Sequence, residues 1–168
     1  MKSVWIVCLV GAALAWPQAP PQDKPISGKA AWSVLNRHAT ALGKAVHGVT
    51  PSGRTGGPEP LKRADLIREL GRIFDQAKPN IRWTPSRPRI VESEIGRNNP
   101  DADVQAILRK LERFGCIGPV GPLVVGPGDA LTAPIFGDAI AFFYLRITQI
   151  CHQPDPKWTP DLRNSIDV

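Results

Sequence analysis

The chain has 168 residues, of which 42% are hydrophobic and 21% charged, with 21 Lys and Arg against 15 Asp and Glu. These are ordinary globular values, which exclude a chain too polar to pack a core and suit a single domain. The charge excess of +6 is modest, and 18 Pro, about twice the usual share, imply many irregular connections.

The first element is a leader. Lys2 is followed by eleven apolar or small residues, Val4 to Leu14, then by Ala13-Leu14-Ala15 and a Pro/Gln-rich stretch. That order predicts a secretory signal over residues 1–15, hence an exported protein of the cell envelope, periplasm or cell surface. The other reading is an uncleaved membrane-anchoring tail. The run falls short of the roughly 20 apolar residues a bilayer-spanning helix needs, and no later stretch qualifies, so no integral membrane segment is expected once the signal is removed. Cys8 lies inside the run, preceded by Trp5-Ile6-Val7, which argues against a lipid attachment site. Residues 16–28 read as a flexible tether. Without the leader the chain keeps 20 basic and 15 acidic residues, a charge of +5, and two of its three Cys, Cys116 and Cys151. An even count in an exported chain makes a Cys116–Cys151 disulfide the candidate bond, and two buried free thiols are the alternative.

Four stretches carry helical periodicity. Trp32, Leu35, Ala39, Leu42 and Val46 share one stripe, and Leu66, Ile67, Leu70, Ile73, Phe74 and Ala77 share a second. The third comprises Val104, Ile107, Leu108, Leu111 and Phe114, introduced by Asn99-Pro100-Asp101 as N-cap, first-turn Pro and early acid. After Thr132 a fourth stripe runs through Ile135, Phe136, Ala139, Ile140, Phe143, Ile147 and Ile150, and Phe142 and Tyr144 widen it almost all round. Such a helix is the most buried element or faces a partner. "PLVVG", from Pro122 to Gly126, reads as a short strand, and residues 78–100 as a long loop or linker.

The halves of the chain share an order. Leu42-Gly43, read as the close of the first helix, precedes Phe114-Gly115, the close of the third, by 72 residues; Leu61 precedes Leu131 by 70, and Trp83 precedes Trp158 by 75, the last pair in the near-identical strings "IRWTP" and "PKWTP". The drift of a few residues argues for duplication, with chance likeness of two helical hairpins as the alternative. The expected fold is all-α: one helical domain over residues 29–168, made of two helix-loop-helix repeats at about 29–85 and 101–160 with a linker between them at about 86–100.

"PEPLKRADLIRELGRIF", Pro58 to Phe74, and the run from Ile107 to Ile147 resemble the bacterial S-layer homology module, an amphipathic helix, a Gly, a loop, and a helix opening on Thr-Arg-Ala-Glu. Lys62-Arg63-Ala64-Asp65 matches that opening in Arg and Ala; in the second unit Leu131-Thr132 remains and Ala133 stands where the Arg would be. Trp32 takes the place of the Trp that opens the module's first helix. The resemblance implies modules, usually in threes, that hold exported proteins to wall polysaccharide or peptidoglycan, with the signature Arg in an anionic-glycan pocket. Only Arg63 inherits that role. Because two units are legible rather than three, a third hairpin would come from another chain, or the pocket would be absent.

The candidate ligand-binding residues are therefore Arg63, Trp83, Trp158 and Trp32. A guanidinium at a helix start can pair with an anion beside free backbone N–H groups, and a Trp can stack on a sugar or simply cover a helix end. Arg82, Arg87, Arg89 and Arg97 surround Trp83, but Glu92 and Glu94 interrupt them and export argues against nucleic acid. His38, His47 and His152 lack metal-ligand spacing, and no nucleophile elbow or phosphate-cradling glycine motif occurs. No catalysis, cofactor or metal is expected. The expected function is non-catalytic association with the wall glycan of the cell envelope. The alternative is a scaffold that has lost the glycan site and pairs with itself or with another envelope protein through the fourth helix.

Overall fold

The computed structural model describes residues 24–81, 95, 97–119, 121–125 and 129–152. Among them the fold is all-α, with no strand. Its elements are α1 (Gly28–Ala45), α2 (Arg63–Ala77), a 3-10 turn (Lys78–Asn80), α3 (Ala102–Arg113), α4 (Pro122–Val125) and α5 (Ala133–His152).

The apolar stripes explain the packing. Every α2 stripe residue, from Leu66 to Ala77, is fully buried, as are Trp32, Leu35 and Ala39 of α1 and Phe143, Ile147 and Ile150 of α5. Helix α3 lies on α2, where Gly71 lets Ile107 approach so closely that an added Cβ would meet it at 2.8 Å. Helix α5 packs on both α1 and α2, and the short α4 packs on α5. The breadth of the α5 apolar surface is thus used by two helices at once. Phe142 on its outer side remains 49% exposed.

The helix ends follow local chemistry. Ser27 caps α1, its Oγ accepting from the Ala30 amide at 3.2 Å. Gly115 closes α3 with φ 68°, a left-handed conformation that glycine adopts without strain. Three expectations need correction. Gly43 lies inside α1 rather than at its end, because the Val49 carbonyl packs against its bare Cα and the helix continues to Ala45. The cap of α3 is Asp101, not Asn99, whose side chain donates instead to the Ile95 carbonyl at 3.3 Å and is buried. "PLVV" is one helical turn, not a strand: its Val124 amide turns back to the Gly121 carbonyl at 2.8 Å.

The larger correction concerns the repeat. The residues just before the caps of α1, α2 and α5 close a ring of backbone hydrogen bonds. The Ile26 amide donates to the Leu131 carbonyl (2.7 Å), the Leu131 amide to Leu61 (3.4 Å), and the Leu61 amide to Ile26 (3.0 Å). Isolated bridges flank the ring, Pro25 with Thr132 and Lys62 with Ala130. All three ring side chains are buried. Three long helices therefore start from one point in equivalent fashion, and α1 corresponds to α2 and α5 rather than to α3. Residues 24–28, placed at the end of the tether by sequence, belong to the ring and to α1. The expected signal at 1–15 and the remaining tether lie outside the described residues.

Buried polar groups collect where the three long helices meet. Tyr144 donates its hydroxyl to the Leu35 carbonyl at 3.4 Å and lies 5.2 Å from the His38 ring. Nearby Glu69 pairs with Arg72 at 2.6 Å, and Arg72 also donates to the Thr50 carbonyl. Burial raises the Tyr144 phenol well above its ordinary value, and the Glu69 carboxylate adds to the shift.

Candidate functional site

The start of α2 opens on a cavity of about 330 Å³. One wall is Lys62, Arg63, Asp65 and Arg68; the opposite wall brings Asn98, Asn99 and Asp101 from the approach to α3, and Asp129 from the residues before α5. Among the described residues no aromatic side chain lines it.

Arg63 is the first residue of α2, and its amide donates to the Asp129 carbonyl at 2.6 Å. Its side chain is buried and donates from Nη2 to the Asn98 carbonyl. Burial pulls the guanidinium below its usual range, and the Asp129 carboxylate pushes it back up in part. The residue singled out by its place in the Lys62-Arg63-Ala64-Asp65 opening thus has a second duty, joining α2 to the segment that leads into α3. Lys62 is the N-cap but provides no side-chain cap, and it stands exposed at the rim. Arg68 is held by carboxylates: Nε donates to Asp103 at 2.7 Å, Nη2 to Asp101 at 2.8 Å, and Asp65 lies 3.8 Å away. The bonds to Asp103 and then Asp101 raise the Arg68 pKa, and the same contact with Arg68 holds Asp103 below the ordinary carboxylate range.

The other two helix starts are filled differently. At α1 the residue corresponding to Arg63 is Gly28, where a Cβ would lie 2.6 Å from the Pro58 carbonyl oxygen, and the Lys29 amide is taken by the Glu59 carboxylate at 3.3 Å. At α5 it is Ala133. Of the three starts, the one carrying Arg63 combines a long basic side chain with this cavity.

The remaining candidates separate. Trp32 is no ligand platform: it is fully buried beneath Gly57, with Arg54 stacked 5.0 Å from its ring centroid. Its opening position in α1 faces the core, so it fixes the 51–60 loop from below. Trp83 and Trp158, together with Arg82, Arg87 and Arg89, lie outside the described residues, and Arg97 is exposed. Cys116 and Cys151 are free thiols rather than a disulfide, and both are buried. Each sulfur faces a backbone carbonyl instead, Cys116 that of Phe114 at 4.0 Å and Cys151 that of Ala77 at 3.8 Å. Burial pushes the Cys116 thiol up to about 12 and the Cys151 thiol up to about 11.

Sequence reasoning missed Asn98 and Asp129 as partners of Arg63, and Asp101 and Asp103 as partners of Arg68. Asp129 carried a usable signal, since it stands two residues before Leu131 as Glu59 stands two before Leu61. A second, apolar cavity of about 250 Å³ lies between α4 and α5, lined by Ile117, Leu123, Ala139 and Phe142 among others. Among the described residues no group of three His, Cys, Asp or Glu is placed to hold a metal ion, and no helix is long and apolar enough to cross a membrane.

Compared with protein-family models, with curated proteins and with solved structures, the chain matches none.

Proposed function

We propose that this chain is an exported, non-catalytic protein of the cell envelope that holds a segment of wall polysaccharide or peptidoglycan in the cavity at the start of α2. The observation that carries the reading is the position of Arg63. It stands in a four-residue opening that resembles the S-layer homology signature, and it forms part of the wall of a polar cavity of a size to take one or two sugar rings. The leader pattern supports export. The test is co-sedimentation of the mature chain with isolated wall sacculi. Arg63→Ala should weaken binding by about tenfold or more and Arg63→Lys should restore part of it, because a point charge does not reproduce the planar fork. Since Arg63 also holds the Asn98 carbonyl, the exposed rim variant Lys62→Ala serves as a second probe that leaves this contact in place. Equal binding by all variants excludes the α2 start as the anchor.

A second reading, a scaffold that pairs with its own copy through α5, is favoured by Phe142, a large exposed apolar side chain at the edge of the apolar cavity. Sedimentation equilibrium of the wild type and Phe142→Lys decides it: a dimer lost in the variant supports pairing, and monomers in both exclude it.

A further inference from the structure

The charge of this chain is unevenly placed. Residues 24–58 hold five cations, Lys24, Lys29, Arg37, Lys44 and Arg54, and no carboxylate, whereas residues 59–168 hold fifteen cations against fourteen carboxylates. All five are exposed. Helix α1 orders three of them. At about 100° per residue, Lys29, Arg37 and Lys44 fall within an arc of about 80°, opposite the stripe that buries Trp32, Leu35 and Ala39, and they span about 22 Å of helix axis. Asn36, at the edge of that arc, donates to the Arg54 carbonyl at 2.7 Å, and the Arg54 guanidinium lies 5.0 Å from the Trp32 ring centroid. A fourth cation is thereby fixed beside the other three.

On α2 and α3 cations are met by carboxylates: Arg68 pairs with Asp101 and Asp103, Arg72 with Glu69, and Lys110 with Asp75. Among the described residues no carboxylate pairs with the side chains of Lys29, Arg37, Lys44 or Arg54. Glu59, the first acid after α1, accepts from the Lys29 amide at 3.3 Å rather than from its ammonium. Uncompensated like charge along one ridge draws anions, and holds best a partner whose own charges stand in a row. The face carries no large apolar side chain, because Trp32, Leu35 and Leu42 are turned into the core, so α1 has nothing to insert into a bilayer as a membrane-surface helix does. It exposes no aromatic ring on which a base or sugar could stack, and recognition falls on charge alone.

We propose that the exposed face of α1, with Arg54 beside it, is a second binding surface, one that takes a linear polyanion, a chain of repeated phosphate or carboxylate groups. None of its residues lines the α2 cavity, so the proposal does not rest on the wall-glycan reading.

The experiment follows the fluorescence anisotropy of labelled inorganic polyphosphate and labelled polygalacturonate as the full mature chain is added, at about 50 mM and about 300 mM salt. The wild type should bind at least one polymer, about tenfold or more weakly at the higher salt, and which polymer is held tells phosphate from carboxylate. Reversing two cations, Arg37→Glu with Lys44→Glu, should weaken binding at the lower salt by about tenfold or more, and the neutral pair Arg37→Gln with Lys44→Gln by less. Lys78→Glu with Arg113→Glu changes the net charge equally at other exposed positions and should change binding by less than about twofold. Each variant is compared after its circular dichroism matches the wild type, and the neutral pair carries the comparison if the reversed pair does not fold. Loss confined to the α1 pairs supports the proposal. No binding of either polymer, or equal loss in both reversed pairs, overturns it. Tighter binding to vesicles of equal parts phosphatidylglycerol and phosphatidylcholine than to either polymer also overturns it, and makes the face a membrane contact. Each of these failures leaves the α2 cavity reading in place, since that is tested separately by the Arg63 and Lys62 variants on sacculi.

Discussion

The Leu61 amide donates to the Ile26 carbonyl at 3.0 Å although all of α1 and its following loop lie between them in the chain. This contact makes the start of α2 depend on the start of α1. With the bonds to Leu131 it sets all three long helices in one register, and so fixes where Arg63, Asn98 and Asp129 meet.

The ring predicts a cost that side-chain volume does not account for. Ile26→Pro removes the amide that donates to Leu131 at 2.7 Å, whereas Ile26→Ala removes only packing. In chemical denaturation Ile26→Pro should be less stable than Ile26→Ala by about 1–3 kcal/mol, the cost of leaving a buried carbonyl unpaired. Equal stability would show that the ring contributes nothing.

Gly28 is required by close approach rather than by backbone angle. Its added Cβ would meet the Pro58 carbonyl oxygen at 2.6 Å, so Gly28→Ala should cost about 1–3 kcal/mol even though alanine is the better helix former. Gly56, in the same loop region, has nothing within 4 Å of the corresponding position, and Gly56→Ala should be neutral or slightly stabilising. Thermal melts of the two variants test the contrast.

Trp32 should matter to folding and not to ligand. Trp32→Ala should cost about 3–5 kcal/mol, the range for emptying a large buried aromatic site. Trp32→Phe should cost clearly less, since it also removes the indole N–H, which is buried without a hydrogen-bond partner. In both variants the folded fraction should bind sacculi as the wild type does, measured after correction for the unfolded share.

The thiols give a pH prediction. Both folded values lie above the ordinary 9.0, so the folded chain keeps protons that the unfolded chain releases. Their contribution is fully present below pH 9.0 and is lost as the pH rises through about 11 for Cys151 and about 12 for Cys116. Cys116→Ala should flatten the alkaline fall in denaturant midpoint. At neutral pH, iodoacetamide should label neither thiol in the native chain at an appreciable rate and both after unfolding, as read by mass spectrometry. Rapid native labelling would contradict their burial.

What the sequence by itself determined was the set of apolar stripes. Spacing alone marks Leu66 to Ala77 as the core face of α2 and Phe136 to Ile150 as that of α5, because burial of a contiguous stripe is written in side-chain type. The αL stop at Gly115 was legible for the same reason: a residue without Cβ is tied to a backbone state. The pairing of the three helix starts was not. The ring at Ile26, Leu61 and Leu131 is made of amides and carbonyls that every non-proline residue carries, so its side chains record only that they are buried, and the clearer Gly and Trp spacings point to paired halves rather than to a ring of helix starts. Nor could sequence decide that Trp32 lies under Gly57, that Gly43 admits the Val49 carbonyl, or that Asn98 and Asp129 close on Arg63. These contacts join segments distant in the chain, and only the tertiary packing of α1, α2 and α5 brings them within reach.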